Sequence, residues 1–276
     1  QQSADKDEYF KERITYIADM IQRSGGIAQI NHPFSSSTMG FSYWDIADKF
    51  DAIEIWNGFF VPGDGRYIGE SLGYAEQNYS AKLKWFELLN QVKDGGKFIA
   101  ATGGTDNHNS SSPYTRNPDF AGYNLTNSAD FQITNMVDYL AIFEVNGKYN
   151  GNPTTYLHIP GEVNLESSLA AIKNGHSFIS NGPLLIADID GKTYGETVDL
   201  PASGSVSLNL RAFARDGFEG IRIVKNGEIL LTLDQIEGTS ADQTIKLDGL
   251  KSGDWIVLEG LGVSTQYCIT NPIFFN

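Results

Sequence analysis

Between residues 5 and 102 the chain alternates three times between a helix-patterned run and a short apolar run. This rhythm constrains the fold more than any other feature. Phe10, Ile14, Ile17, Ala18 and Ile21 recur at the spacing of one helix face, and Gly25-Gly26 ends that run. Residues 26–31 then read as a buried strand, stopped by His32-Pro33. The same reading predicts a second helix over 43–49, a strand over 52–56, a third helix over 80–93 closed by Gly95-Gly96, and a strand over 98–102. Strands joined through helices run parallel, because a parallel neighbour is reached only by a crossover. The predicted class is therefore α/β, with a parallel layer at the front of the chain.

The texture then changes. Residues 107–152 are rich in Asn, Ser, Gly, Tyr and Pro and read as a long excursion with a short strand near 139–145. A strand over 154–159, a helix over 165–174 with Asn164 as N-cap, and a strand over 178–180 follow. Beyond Pro183 come short β-patterned runs at 185–189, 206–214, 220–225, 229–233, 243–247 and 255–261. Asp190-Gly191, Asn226-Gly227 and Ser252-Gly253-Asp254 punctuate them, and Asn226-Gly227 between two β runs signals a hairpin. We read 1–183 as an α/β domain and 184–276 as a small β-sandwich.

Composition narrows the function. Twenty Lys and Arg against 34 Asp and Glu leave a net charge of −14, which disfavours nucleic-acid binding. No apolar run approaches the roughly 18 residues of a membrane span. The single cysteine, Cys268, excludes an internal disulfide. No phosphate-binding glycine loop occurs, so no nucleotide cofactor is indicated, and Ser110-Ser111-Ser112 lacks the elbow of a serine nucleophile. The expected partner is a small-molecule substrate.

The chemistry should sit at the strand ends, because ligands of α/β layers bind at the C-terminal ends of parallel strands. His32 ends the first strand, and Asp106 and His108 lie just beyond the third. Two residues apart in extended backbone, Asp106 and His108 point the same way, and imidazole and carboxylate suit divalent metals. Glu54 lies in the second strand and Asn57 at its end, both able to line the same mouth. A histidine before proline and an aspartate in a glycine-rich turn are also ordinary loop chemistry.

Together these pieces resemble a known family. Residues 25–34, with Gly25-Gly26 and His32-Pro33-Phe34, resemble the GG…HPF segment of PHP-domain metal-dependent hydrolases. Residues 51–58 resemble their D-x-I-E-V-x-N-G strand, and Gly104-Thr105-Asp106-Asn107-His108 their G-[ST]-D-x-H metal motif. Residues 153–157, 170–175 and 178–183 are similar to the CehA/McbA-type branch. The resemblance implies a distorted β/α barrel with divalent metal ions (Zn, Mn or Fe) at its C-terminal mouth. It also implies metal ligation by His32, Asp106 and His108, catalytic positions at Asp106, Glu54 and Asn57, and a bacterial source. Membership implies hydrolysis of a phosphoester, ester or amide by metal-activated water.

One departure matters. The family's first metal motif is a His-x-His pair on the first strand, whereas the four histidines here, His32, His108, His158 and His176, include no such pair and none precedes His32. The expectation is a partial barrel with an incomplete site, from a chain that is either a fragment or a degenerate member, with a partner segment completing the barrel. The contrasting expectation is a noncatalytic binding module with a carbohydrate- or protein-binding β-sandwich. His158 is a further candidate for the mouth, and His176 reads as a helix C-terminal residue. Trp44, Trp56, Phe59 and Phe60 are candidates for a pocket lining or for core, and Arg66 and Arg116 for anion anchors. Asn78, Asn109 and Asn124 begin glycosylation-type tripeptides, which carry no weight in a bacterial protein.

Overall fold

The computed structural model describes residues 2–35, 39–58, 72–106, 153–234, 236–263 and 266–276. Helix α1 (Gln2–Arg23) turns Ile14 and Ala18 toward the core. It ends where Gly25 takes φ +85° and Gly26 N donates to Ile21 O at 2.9 Å, a left-handed turn that glycine adopts without steric cost. Strands β1 (Gln29–Ile30), β2 (Ala52–Asn57) and β3 (Ala100–Gly104) form a parallel sheet in that order. Between β2 and β3 runs α2 (Leu72–Val92), which lays Ala81, Trp85 and Leu89 on the sheet. Trp85 is fully buried and its indole Nε1 donates to Ile99 O at 2.9 Å.

The parallel layer agrees with the sequence pattern, with three differences of extent. The first strand contracts to two residues, and α2 begins at Leu72 rather than near 80. The helix predicted over 43–49 is a 3-10 helix, Trp44–Lys49, in which Ile46 departs from helical backbone at φ −112° and ψ 15°. Short helices lack the length at which α geometry becomes cooperative.

The remaining strands build two layers, antiparallel but for one pair. Thr154–Leu157 forms β4 and Ser177–Ser180 forms β5, joined by α3 (Leu165–Lys173). Asn164 caps α3, its Oδ1 accepting Ser167 N at 2.9 Å while Ser167 Oγ accepts Asn164 N at 3.0 Å. Then follow β6 (Leu184–Asp188), β7 (Thr197–Val198), β8 (Val206–Phe213), β9 (Phe218–Lys225) and β10 (Glu228–Leu233). The last four are β11 (Ser240–Leu247), β12 (Trp255–Gly262), β13 (Tyr267–Thr270) and β14 (Ile273–Phe275). An eight-stranded sheet has the order β10-β9-β12-β13-β5-β4, with β14 on β12 and β7 on β14. A three-stranded sheet has the order β11-β8-β6. Asn226 (φ +53°) and Gly227 (φ +94°) make the β9–β10 turn, the backbone that Asn-Gly favours.

The eight-stranded sheet is the middle layer. On one side Ile223, Leu258 and Cys268 meet Leu208, Leu210 and Ile245 of the small sheet, completing a sandwich. On the other, Val224, Val257 and Ile269 meet Trp85 and Phe86 of α2 and Ile53 and Trp56 of β2. Burial on both faces explains why β12 is an unbroken buried run, whereas β8, on an outer layer, alternates buried and exposed at every residue. This sheet also crosses the 183/184 boundary expected from sequence, because β5 pairs with β13 through Ile179↔Ile269.

The free edge of β3 is closed by side chains. Asn271, fully buried, accepts Ala101 N at 2.8 Å and donates to Ala101 O at 3.0 Å. One step further, Thr155 Oγ1 accepts Gly103 N at 3.0 Å and donates to Gly103 O at 2.8 Å. Two polar side chains thus stand where a fourth strand would pair, and they bind the parallel layer to the β layers.

Candidate functional site

The described residues bring His32, Glu54, Asn57 and Asp106 to the C-terminal end of the parallel sheet. Glu54 is the hub. Its Oε2 accepts His32 N at 2.8 Å and Asn57 Nδ2 at 3.1 Å. Burial pushes the Glu54 carboxyl above its ordinary range; the donors from His32 and Asn57 oppose this, and the Asp106 charge adds to it. His32 and Asp106 both sit in left-handed backbone, at φ +32° and +48°. Non-glycine residues held there carry strain of about 1–3 kcal/mol, a cost that clusters at functional sites. His32 Nδ1 is buried and has no hydrogen-bond partner among the described residues, and the same is true of Trp56 Nε1.

A bulge in β2 makes this arrangement. Glu54 pairs with Thr102, but Trp56 rather than Ile55 pairs with Gly103. The extra residue sends Trp56 into the core against Tyr267, with ring centroids 5.6 Å apart, and brings Asn57 round to bond Glu54. Asn78 of α2 then fixes Asn57, its Oδ1 accepting Asn57 N at 3.0 Å and its Nδ2 donating to Asn57 O at 2.9 Å. Thr102 Oγ1 donates to Gln29 Oε1 at 2.9 Å, and Gln29 Nε2 to Asn31 Oδ1 at 2.7 Å, tying β3 to β1 beside the mouth.

The other candidates separate. His108, Phe59, Phe60, Arg66, Arg116, Ser110–Ser112, Asn109, Asn124 and the strand near 139–145 lie outside the described residues. Trp44 is packing rather than pocket, stacked on Phe34 at 5.5 Å and edge-on to Phe41 at 5.2 Å. His158 does not approach the mouth. Thr155 is level with Gly103, and Asn271 joins Ala101 to Ser177, the partner of Leu157. β4 therefore runs away from the mouth, and His158 follows at the far end. Asn78, read only as the start of a glycosylation tripeptide, is a buried clamp. Its pairing depends on a helix laid across β2, and no local pattern signals it.

Among the described residues, no group of three His, Cys, Asp or Glu side chains is arranged to hold a metal ion. The sequence matches no family model and no curated protein. A crystal structure of an engineered protein is similar at 14% identity over 34% of this chain and 20% of its own, with a TM-score of 0.24.

Proposed function

We propose that the chain is a metal-dependent hydrolase of the PHP type, acting on a phosphoester, ester or amide of a small molecule at the mouth of the parallel sheet. One observation carries the reading: a buried carboxylate, a buried histidine nitrogen without a partner and a strained aspartate meet at adjacent strand ends. An orphaned buried imidazole nitrogen suits a cation, and His32 and Asp106 are the described residues that would hold a divalent metal, with His108 as the further expected ligand. Bound there, the metal would supply an activated water near neutral pH. Glu54 orients the His32 backbone and Asn57 through Oε2. Asn78 keeps Asn57 in reach.

Metal content by mass spectrometry, with hydrolysis of generic phosphate and carboxylate esters, tests the proposal. The expected result is bound Zn, Mn or Fe and hydrolysis, both reduced in Asp106→Ala. Absence of metal after supplementation, with equal rates for the two proteins, overturns it. The second reading, a noncatalytic binding module, draws on Glu54 itself, whose Oε2 is committed to two donors of the protein.

A further inference from the structure

We propose that His158 and His176 form a two-imidazole chelate for a divalent transition-metal ion, at the end of the β4–β5 ladder remote from the mouth. The ladder fixes their relation. Tyr156 pairs with Phe178 and Leu157 with Ser177, and the next rung is closed by His158 N donating to His176 O at 2.7 Å. His158 and His176 lie one step beyond the last paired residues, with His176 N bonded to Ala171 O, and the alternation of the ladder carries both side chains to the face of Tyr156 and Phe178. Residues opposed across an antiparallel pair have Cβ atoms roughly 4.5–5.5 Å apart. Two imidazoles at that spacing reach a common cation at the metal–nitrogen distance of about 2.0–2.1 Å.

The face packs on the sandwich core at Phe178 and opens to solvent at Tyr156 and His158. Thr155 and Ile179, at the alternate positions, turn toward Gly103 of β3. Tyr156 and Phe178 turn the other way, stacked at 5.0 Å and nearly parallel, and Phe178 meets Tyr194. Tyr156 and His158 are exposed and His176 half-buried, so a hydrated ion can reach both rings. Neither imidazole is committed to a hydrogen bond among the described residues.

A carboxylate, itself paired with Lys192, lies beside the pair. Glu196 lies near enough to His176 for their charges to interact. Its Oε2 accepts Thr193 N at 2.9 Å, and its Oε1 faces Lys192 Nζ at 3.4 Å. Burial alone raises this carboxyl, but the bonds from Thr193 and Lys192 outweigh it and keep it ionised. Glu196 acts as a charge neighbour, the two imidazoles as the ligands, and water fills the remaining positions. Imidazole pairs select Zn2+, Ni2+ or Cu2+ over Mg2+ or Ca2+. The site shares no residue with the mouth and stands whether or not the hydrolase reading holds.

Calorimetric titration of the full chain with Zn2+ alone tests it. A Zn2+ equivalent separate from any held at the mouth should bind in wild type and persist in His32→Ala, and weaken at least about tenfold in His158→Gln and in His176→Gln. His158→Cys, which offers another zinc donor, should restore it. Binding unchanged in both glutamine variants, or no equivalent that survives His32→Ala, overturns the proposal.

Discussion

Asp51→Ala should destabilise the protein by about 3 kcal/mol. Asp51 is 1% exposed and sits just before β2, at the end of the sheet away from the mouth. Its carboxylate accepts Gln22 Nε2 at 2.9 Å, Ala28 N at 3.1 Å and Lys97 Nζ at 3.1 Å, with Lys173 Nζ at 3.4 Å. It therefore ties α1, the strand entry, the α2–β3 turn and α3 to one point. The alanine leaves Ala28 N buried without an acceptor, which costs about 1–3 kcal/mol, and also loses the Gln22 bond, about 1 kcal/mol. The two lysines are 38% and 49% exposed in their side chains and return to water, so each ion pair adds at most about 1 kcal/mol. At about 2–4 °C per kcal/mol for domains near this size, the melting midpoint should fall by about 6–12 °C.

Acidity offers a second readout. Burial raises the Asp51 carboxyl, but the bonds from Gln22, Ala28 and Lys97 together place it below its ordinary value. A depressed folded-state pKa gives stability that is present above the unfolded value, about 3.9, and lost as pH falls through the folded one. Asp51→Asn keeps an acceptor for Ala28 N and has no such titration. Its deficit against wild type should narrow as pH falls below about 4. Calorimetric midpoints and urea unfolding followed by tryptophan fluorescence measure both effects. A drop under about 2 °C for Asp51→Ala, or a deficit that widens with acid, would refute the assignment of Asp51 as the tie point.

Two further substitutions probe the joins between layers. Lys82→Met leaves Glu259, 5% exposed in its side chain and bonded to Lys82 Nζ at 2.8 Å, with Arg222 at 4.0 Å, and should cost about 3–5 kcal/mol in urea unfolding; the double replacement with Glu259→Leu should recover most of it. Asn271→Ala strips Ala101 N and O of their partners and should cost about 3 kcal/mol, with hydrogen exchange speeding first at Ala101.

Much of the local structure was legible in the sequence because its causes are local. The Gly25-Gly26 and Asn226-Gly227 turns follow from backbone freedom, the Asn164 cap from a side chain reaching its own helix, and α1 from a one-sided apolar stripe. The position of His32, Glu54 and Asp106 at one end of a parallel sheet followed from strand direction. The short strand at Gln29–Ile30 and the 3-10 geometry at Trp44–Lys49 were not legible, since pattern gives an element's presence better than its length.

By itself, then, the sequence determined a mixed α/β chain, a β-rich second half and a polar set at the strand ends. Tertiary structure alone decided that β4 and β5 leave the parallel layer for the antiparallel middle sheet, and that Asn271 and Thr155 seal the edge they left. It also decided that a bulge turns Asn57 onto Glu54 while Asn78 holds it there. It bonded His158 N to His176 O, away from the mouth. The physical reason is common to all four. Each depends on contacts between groups distant in sequence, up to 170 residues apart for Asn271 and Ala101. Spacing along a chain reports only which residues share a local face. Which face meets which is set when apolar surfaces are buried together and every buried polar group must find a partner.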